Sequence, residues 1–337
     1  MNTPASKADL ITLDEFIIET QQQFPEATGE LSQLLRDVTL ACRIIAHEAN
    51  YSVLHEMVNR KKISGYDRLE YLRDFAVDQF RFALDRSGTV RLMVTSFSSG
   101  PIKMSSSDGK YMVVLHPIEG IPNMAYNASA ATVFGIYKLE PGKRKVEQET
   151  ILQPGKNQVA AGYVLYGSSA MLVFTTAGLG VNFFTLDDDV GDFFLSKRDI
   201  KIPEDAPVYS CNNGWENLMD PADRNVLEYF RSKKFNGDEY RFRYIGSLSA
   251  DMHRILLDGG IFLYPRNKNV PDGRLNILYE CAPLAFVIEQ AGGKATDGEG
   301  RILEKVPADI HAKTPFYAGS PKLMERVKSI RSGRKVT

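Results

Sequence analysis

The chain has 337 residues, enough to bury a large core in one big domain or in two lobes of ordinary size. With 41 Lys+Arg against 42 Asp+Glu it carries no whole-molecule field for nucleic acid or a membrane surface, so any anion site has to be local. MNTPASKADL contains no apolar signal core, and no run approaches the ~18 apolar residues of a membrane span. The expectation is a cytoplasmic protein with neither nucleic acid nor membrane as partner.

In chain order, TLDEFIIETQQQF opens with a capping box, Thr12 with Glu15, and places Leu13, Phe16, Ile17 and Phe24 at helical spacing. After Pro25, Thr28 is a candidate N-cap for a second helix, with Leu31, Leu34, Leu35, Val38, Cys42, Ile45 and Ala49 on one stripe. From Val90 the texture changes to short β-branched and apolar runs (TVRLMVT, KYMVVL, ATVFGIYKL, YVLYG, AMLVFTT, VNFFTL) separated by turn formers, which predicts a sheet. Beyond about Pro203, strand-like PVYSCN and GIFLYP alternate with helix-like DPADRNVLEYFRSKKF and CAPLAFVIEQAGG, the order of a layered α/β sandwich. The basic tail RVKSIRSGRKVT reads as a fraying end. Cys42, Cys211 and Cys281 are far apart and in apolar settings, so they read as reduced core thiols.

Four phrases are specific: TGELSQLL (28–35), ILQPGKNQVAAGYVLYGSSAMLVF (151–174), RYIGSLSADMHRILLDGGIFLYP (243–265) and LYECAPLAFVIEQAGGKAT (278–296). Together they resemble class I fructose-1,6-bisphosphatase, along nearly the whole chain. The resemblance implies an α/β fold, a layered αβαβα sandwich of the sugar-phosphatase type in two lobes, 1–202 for nucleotide control and 203–337 for sugar phosphate. It also implies a homotetramer, an AMP site beneath the first two helices, and hydrolysis of a 1-phosphate by divalent metal ions such as Mg2+ in a site between the lobes.

The metal half departs from that pattern. Hard cations want several carboxylate oxygens. Where the family has a glutamate pair, this chain has Phe97 and Ser98; its Asp-Pro-Leu-Asp-Gly-Ser-Ser turn reads His116, Pro117, Ile118, Glu119, Gly120, Ile121, Pro122. Glu280 survives, although the next asparagine but one has become Ala282. In the stretch that resembles a mobile acidic loop, ISGYDRLEYLRDF, Tyr66 and either Leu72 or Arg73 stand where acids are expected. Pro122 has no N–H to offer a phosphate. The expectation is no metal cofactor and a pseudoenzyme that has lost phosphatase activity. His116, Glu119 and Glu280 are then a degenerate catalytic set, readable as a softer metal site, a general-base site or a hydrogen-bonded polar network. A repurposed lyase, isomerase or dehydratase using those three residues, and an active bisphosphatase, are the alternatives.

The binding motifs are better kept. By the resemblance, Asn212, Arg243, Tyr244, Tyr264 and Glu280 match the sugar 6-phosphate pocket, with Trp215 in place of a tyrosine and Arg274 in place of a lysine, and Arg243 reaches the neighbouring subunit's site. Thr28, Gly29, Glu30, Leu31 and Ser32 match the nucleotide site at a helix N-terminus, as do Lys110 and Tyr111, while Lys138 stands for an arginine. Expected partners are a sugar monophosphate, AMP, and copies of this chain or an active paralogue in a mixed oligomer.

Overall fold

A computed structural model describes residues 10–22, 29–59, 65–124, 126–140 and 147–334; of residues 50–59 and 65–68 it describes the backbone only. Thr28, Phe24 and the side chain of Tyr66 therefore lie outside the described residues.

Helix α1 (Leu13–Gln22) starts on the expected capping box: the Thr12 N–H donates to Glu15 Oε2 at 2.8 Å, and the Glu15 N–H donates to Thr12 Oγ1 at 3.2 Å. It buries Leu13, Phe16 and Ile17, the stripe its spacing requires. Helix α2 (Glu30–Asn59) buries Leu34, Leu35, Val38, Cys42 and Ile45 in the same way. The stretch expected as a mobile acidic loop instead enters helix α3 (Gly65–Arg86). Leu72, Ala76, Phe80 and Leu84 recur at a spacing of four and are all fully buried, so the apolar stripe outweighs the loop-like start.

Strands β1 (Val90–Thr95), β2 (Ile102–Lys103), β3 (Tyr111–Glu119), β4 (Ala130–Lys138), β5 (Gln158–Tyr166), β6 (Ala170–Thr176), β7 (Val181–Asp187) and β8 (Asp192–Ile200) form one sheet in the order 2-1-3-4-5-6-7-8. All neighbours run antiparallel except β1 and β3. Both faces of β1, β3, β4, β5 and β6 are covered, so these strands read as nearly continuous apolar runs, while β8 at the edge is largely open to solvent. On β5, Ala160 and Val164 face α1–α3, whereas Ala161 and Tyr163 face the opposite way.

That opposite face packs on two helices, Leu248–Asp258 and Ala282–Gln290. These in turn cover a second, five-stranded sheet containing Val208–Cys211, Ile261–Tyr264 and Phe316–Gly319. Its far side is closed by helices Pro221–Ser232 and Pro321–Arg331. The layers are α, β, α, β, α, as the phrases implied. The last helix corrects the expectation of a fraying tail: Leu323, Met324 and Val327 are buried, and Arg331 reaches Asp223 and stacks over Tyr317. The three cysteines are free and buried.

The middle layer contains a histidine the site does not use. His253 lies against Phe183, ring centroids 5.1 Å apart, with its Nδ1 3.1 Å from the Tyr163 hydroxyl. Burial, with the charge of Lys197, pushes its pKa down to about 4. As pH falls the unfolded chain takes up this proton first, so the contribution is complete above about 6.5 and is lost between there and about 4, roughly 3 kcal/mol in all. Denaturant titrations at a series of pH values should show that slope in the wild type and a flatter profile in His253→Gln. Parallel profiles would refute the assignment.

Candidate functional site

The site begins with an irregularity in β3. Up to Leu115, odd residues face α1–α3 and even ones the opposite side: Tyr111, Val113 and Leu115 pack in the first core, Met112 and Val114 in another. The β3–β4 register then shifts between His116 and Glu119, around Pro117, whose carbonyl accepts the Thr132 hydroxyl at 2.6 Å. Proline has no N–H for the ladder, so a bulge is the natural outcome. Across it the parity reverses: Ile118 joins the first core, and His116 and Glu119 both turn towards the middle layer.

Glu119 does not join His116 and Glu280 in a three-residue centre; it reaches the start of helix Leu248–Asp258. Its Oε2 accepts the Ser247 hydroxyl at 2.9 Å and the Ser249 N–H at 3.2 Å, and its Oε1 accepts the Leu248 N–H at 3.3 Å. Ser247 is also that helix's N-cap, its hydroxyl accepting the Ala250 N–H at 3.4 Å. A carboxylate here satisfies orphan donors and meets the positive end of the helix dipole. Burial raises the Glu119 pKa, against the lowering effect of His116 and these hydrogen bonds.

His116 pairs with Glu280 alone, Nδ1 to Oε1 at 3.2 Å, a contact too bent for an aligned hydrogen bond. Glu280 follows from a wide turn, Ile277–Cys281, in which the Ala282 N–H closes on the Ile277 carbonyl. Its other oxygen accepts the Asn276 N–H at 2.7 Å and the Asn276 amide at 2.9 Å. Burial opposes charging both groups, yet the pair wins: the ring is raised above the ordinary histidine value by Glu280 and Glu119, and Glu280 is held below the ordinary carboxyl value by His116 and Asn276. Phe97 meets the His116 ring edge-on at 5.6 Å and Tyr279 at 6.0 Å, while Arg73 lies over Phe97 at 5.7 Å. Of the two candidates in the acidic-loop stretch, Leu72 is core and Arg73 is the one at the site.

These residues do not fit a divalent cation. One carboxylate is spent on a helix terminus, and the other is turned to an imidazole and to the Asn276 N–H and amide. Among the described residues no three His, Cys, Asp or Glu side chains are grouped to hold a metal ion.

The sugar-phosphate candidates adjoin this region. Tyr244 and Tyr264 are half-buried side by side, and burial raises both phenol pKa values, while their mutual interaction raises that of Tyr244 and lowers that of Tyr264. Trp215 meets Tyr264 edge-on at 6.0 Å, and the Arg274 guanidinium stacks on Trp215 at 4.2 Å. The two replacements thus support each other, a cation over the best aromatic partner. The Asn212 side chain caps the turn that carries Trp215, accepting the Gly214 N–H at 3.1 Å. Arg243 stands apart: it is exposed and lines a groove of about 480 Å³ with Arg241, Arg254 and Asp258.

The nucleotide candidates are brought together. Gly29, Glu30, Leu31, Ser32, Lys110, Tyr111 and Lys138 all line one cavity of about 360 Å³ between α1, α2 and the sheet. Gly29 has φ +78°, a left-handed turn into α2 that glycine adopts without strain. Lys110 Nζ contacts both oxygens of Glu30, at 2.7 and 2.8 Å, and the Ser32 hydroxyl donates to Gln21 Oε1 at 3.1 Å.

Sequence reasoning did not reach Ser247, Tyr279, His311 or the Arg241–Arg254 groove. Tyr279 bonds His311 Nδ1 at 2.8 Å, and His311 Nε2 lies 3.0 Å from the Ser98 carbonyl, a link across 213 residues of chain that no local pattern carries. Ser247 was accessible as a cap before the periodic LSADMHRILLD.

The layers and this crevice between sheet and helix ends define an α/β sandwich of the sugar-phosphatase type. The sequence profile of "Fructose-1-6-bisphosphatase, N-terminal domain" matches residues 11–198, and that of "Fructose-1-6-bisphosphatase, C-terminal domain" matches 202–332. The fructose-1,6-bisphosphatase of Leishmania major is similar in two solved structures, in holo form and in T-state. Each is 32% identical, with TM-score 0.87, covering 96% of this chain and 99% of the other. The chain belongs to the fructose-1,6-bisphosphatase family.

Removing the Glu119 carboxylate strands buried donors, so Glu119→Ala should destabilise by at least ~2 kcal/mol and Glu119→Gln by clearly less. Denaturant midpoints within error of wild type for both would show that the helix terminus does not depend on this side chain.

Proposed function

We propose that this protein binds a sugar monophosphate without hydrolysing phosphate, and acts in carbohydrate metabolism as a regulatory or scaffolding member of its family in the cytoplasm. The observation that carries the reading is the commitment of both remaining carboxylates, Glu119 to the Ser247–Ser249 helix start and Glu280 to His116 and Asn276. Metal-assisted hydrolysis needs open carboxylate oxygens at both places. The engagement of Glu119 also takes the third residue from a lyase, isomerase or dehydratase built on His116, Glu119 and Glu280.

Residues 203–337 then supply the sugar-phosphate lobe through Asn212, Trp215, Tyr244, Tyr264 and Arg274, and residues 1–202 the control lobe. The cavity lined by Gly29, Ser32, Lys110 and Lys138 has the charge and depth for AMP, whose phosphate would compete with Glu30 for Lys110. A tetramer is supported by α2: Leu40 and Ile44 are exposed there with Val190, and Arg43 between them ties the helix to the Gly191 carbonyl at 2.7 Å. In such an assembly Arg243, turned outwards here, would serve a neighbour's pocket, of this chain or of an active paralogue.

Purified protein with magnesium or manganese should release no phosphate from fructose 1,6-bisphosphate above a blank, and His116→Asp alone should not restore release, because Phe97 and Pro122 remain. Robust metal-dependent turnover would end the proposal. Light scattering at micromolar concentration should give a mass near four chains; a monomer would remove the role assigned to Arg243.

A further inference from the structure

The groove of about 480 Å³ lies at an edge of the five-stranded sheet, between strand Arg241–Phe242 and the last turns of helix Leu248–Asp258. The Arg241 N–H donates to the Pro207 carbonyl at 2.7 Å and the Arg243 N–H to the Tyr209 carbonyl at 2.9 Å, which fixes the strand on its neighbour. Residues two apart on a strand share a face, so Arg241 and Arg243 stand side by side on the groove. Phe242 turns the other way, onto the Tyr209 ring with centroids 5.4 Å apart. Both arginines are exposed, and neither has an ion pair among the described residues; Arg243 Nη1 meets only the Phe242 carbonyl, at 3.5 Å.

A third cation, Arg254, lines the same groove, with its side chain only 18% exposed. Its Nη2 donates to Asp251 Oδ1 at 3.0 Å and to the Arg243 carbonyl at 3.3 Å. Asp251 also accepts the Ser210 hydroxyl at 2.7 Å and the Ile245 N–H at 3.0 Å, so a carboxylate shared among several donors holds the guanidinium in one orientation. Arg254 Nε and Nη1 are left buried with no hydrogen-bond partner. Such orphaned donors are rare in folded proteins, and on a cation they are more costly than on a neutral group. Asp258, the acid on the rim, is exposed and forms no ion pair with any of the three arginines.

We infer that this groove is a separate anion site, distinct from the crevice and from the cavity beneath α1 and α2, and that it takes a phosphate oxyanion, free or at the end of a small ester. A phosphate presents several acceptors at once and suits the forked donors of guanidinium groups. Arg241 meets it from the rim. Arg254 meets it from below, and an anion seated between the two replaces the solvation that burial denies the Arg254 donors. Pro203, Val208 and Leu257 form an apolar wall on which a short carbon skeleton can rest. Arg243 joins the site while it lies on its own chain; when it extends to a neighbour, Arg241 and Arg254 remain, so the site stands without the sugar-phosphate reading.

Phenylglyoxal modifies accessible arginines, and peptide mass spectrometry reads each position separately. At constant ionic strength made up with chloride, inorganic phosphate should slow modification of Arg241 in the wild type roughly fivefold, while Arg81, exposed on α3, reacts at one rate throughout. Arg254→Gln should lose most of that protection; the wild-type comparison stands by itself should this variant misfold. Glycerol 3-phosphate separates the two sources: stronger protection than inorganic phosphate assigns the groove to an ester, equal or weaker protection to the free ion. Equal rates in phosphate and chloride overturn the inference. So does full protection in a folded Arg254→Gln, which would make Arg241 an ordinary surface cation. An Arg241 unreactive in both buffers would show the groove covered by another copy of the chain, and overturns it as well.

Discussion

The carboxylate of Glu119 at the start of helix Leu248–Asp258 is the contact on which this site depends. It joins the end of β3, in the large sheet, to the helix that separates the two sheets, across about a third of the chain. A buried acid is costly unless its oxygens are fully used. Here a hydroxyl and two backbone N–H groups use them, and the same contacts satisfy donors that the helix itself cannot. The geometry follows from Pro117: the bulge reverses the strand's parity and turns Glu119 inwards beside His116.

Once Glu119 is committed, the electrostatics of the crevice follow. Glu280 is buried and faces the imidazole of His116, and each charge makes the other tolerable in a place neither would occupy alone. A ring carries at most one charge, is flat, and packs edge-on against Phe97 and Tyr279. It can neutralise one acid but cannot bridge phosphate oxygens as a divalent ion does. Trp215, Tyr264 and Arg274 form a separate stack, with Trp215 edge-on to Tyr264 and Arg274 over the Trp215 ring.

Much of the fold was legible in the chain because it rests on short-range pattern. The capping box of Thr12 and Glu15, the stripes of α1 and α2, and the β-branched runs from Val90 are local signals, and each formed the element it predicts. Two readings failed for a common reason. The opening of α3 and the basic tail look polar and loose at their ends, yet Leu72–Leu84 and Leu323–Val327 carry apolar residues at helical spacing that find cores to pack against. In the site, the nucleotide candidates came together in one cavity because most lie near a single helix start and two adjacent strands.

The sequence by itself determined the layered α/β class, the family, and the residue types at every position of the crevice, because these depend on periodicity and on which groups exist. Only the tertiary structure decided what those groups do. Whether Glu119 serves a metal, a base or a helix depends on the direction of one side chain beyond a bulge, and whether Arg243 faces the pocket or the outer groove depends on which side of a short strand it leaves. Both are set by contacts between segments more than a hundred residues apart or by the edge position of a strand, and a carboxylate's chemistry is fixed by the donors that reach it.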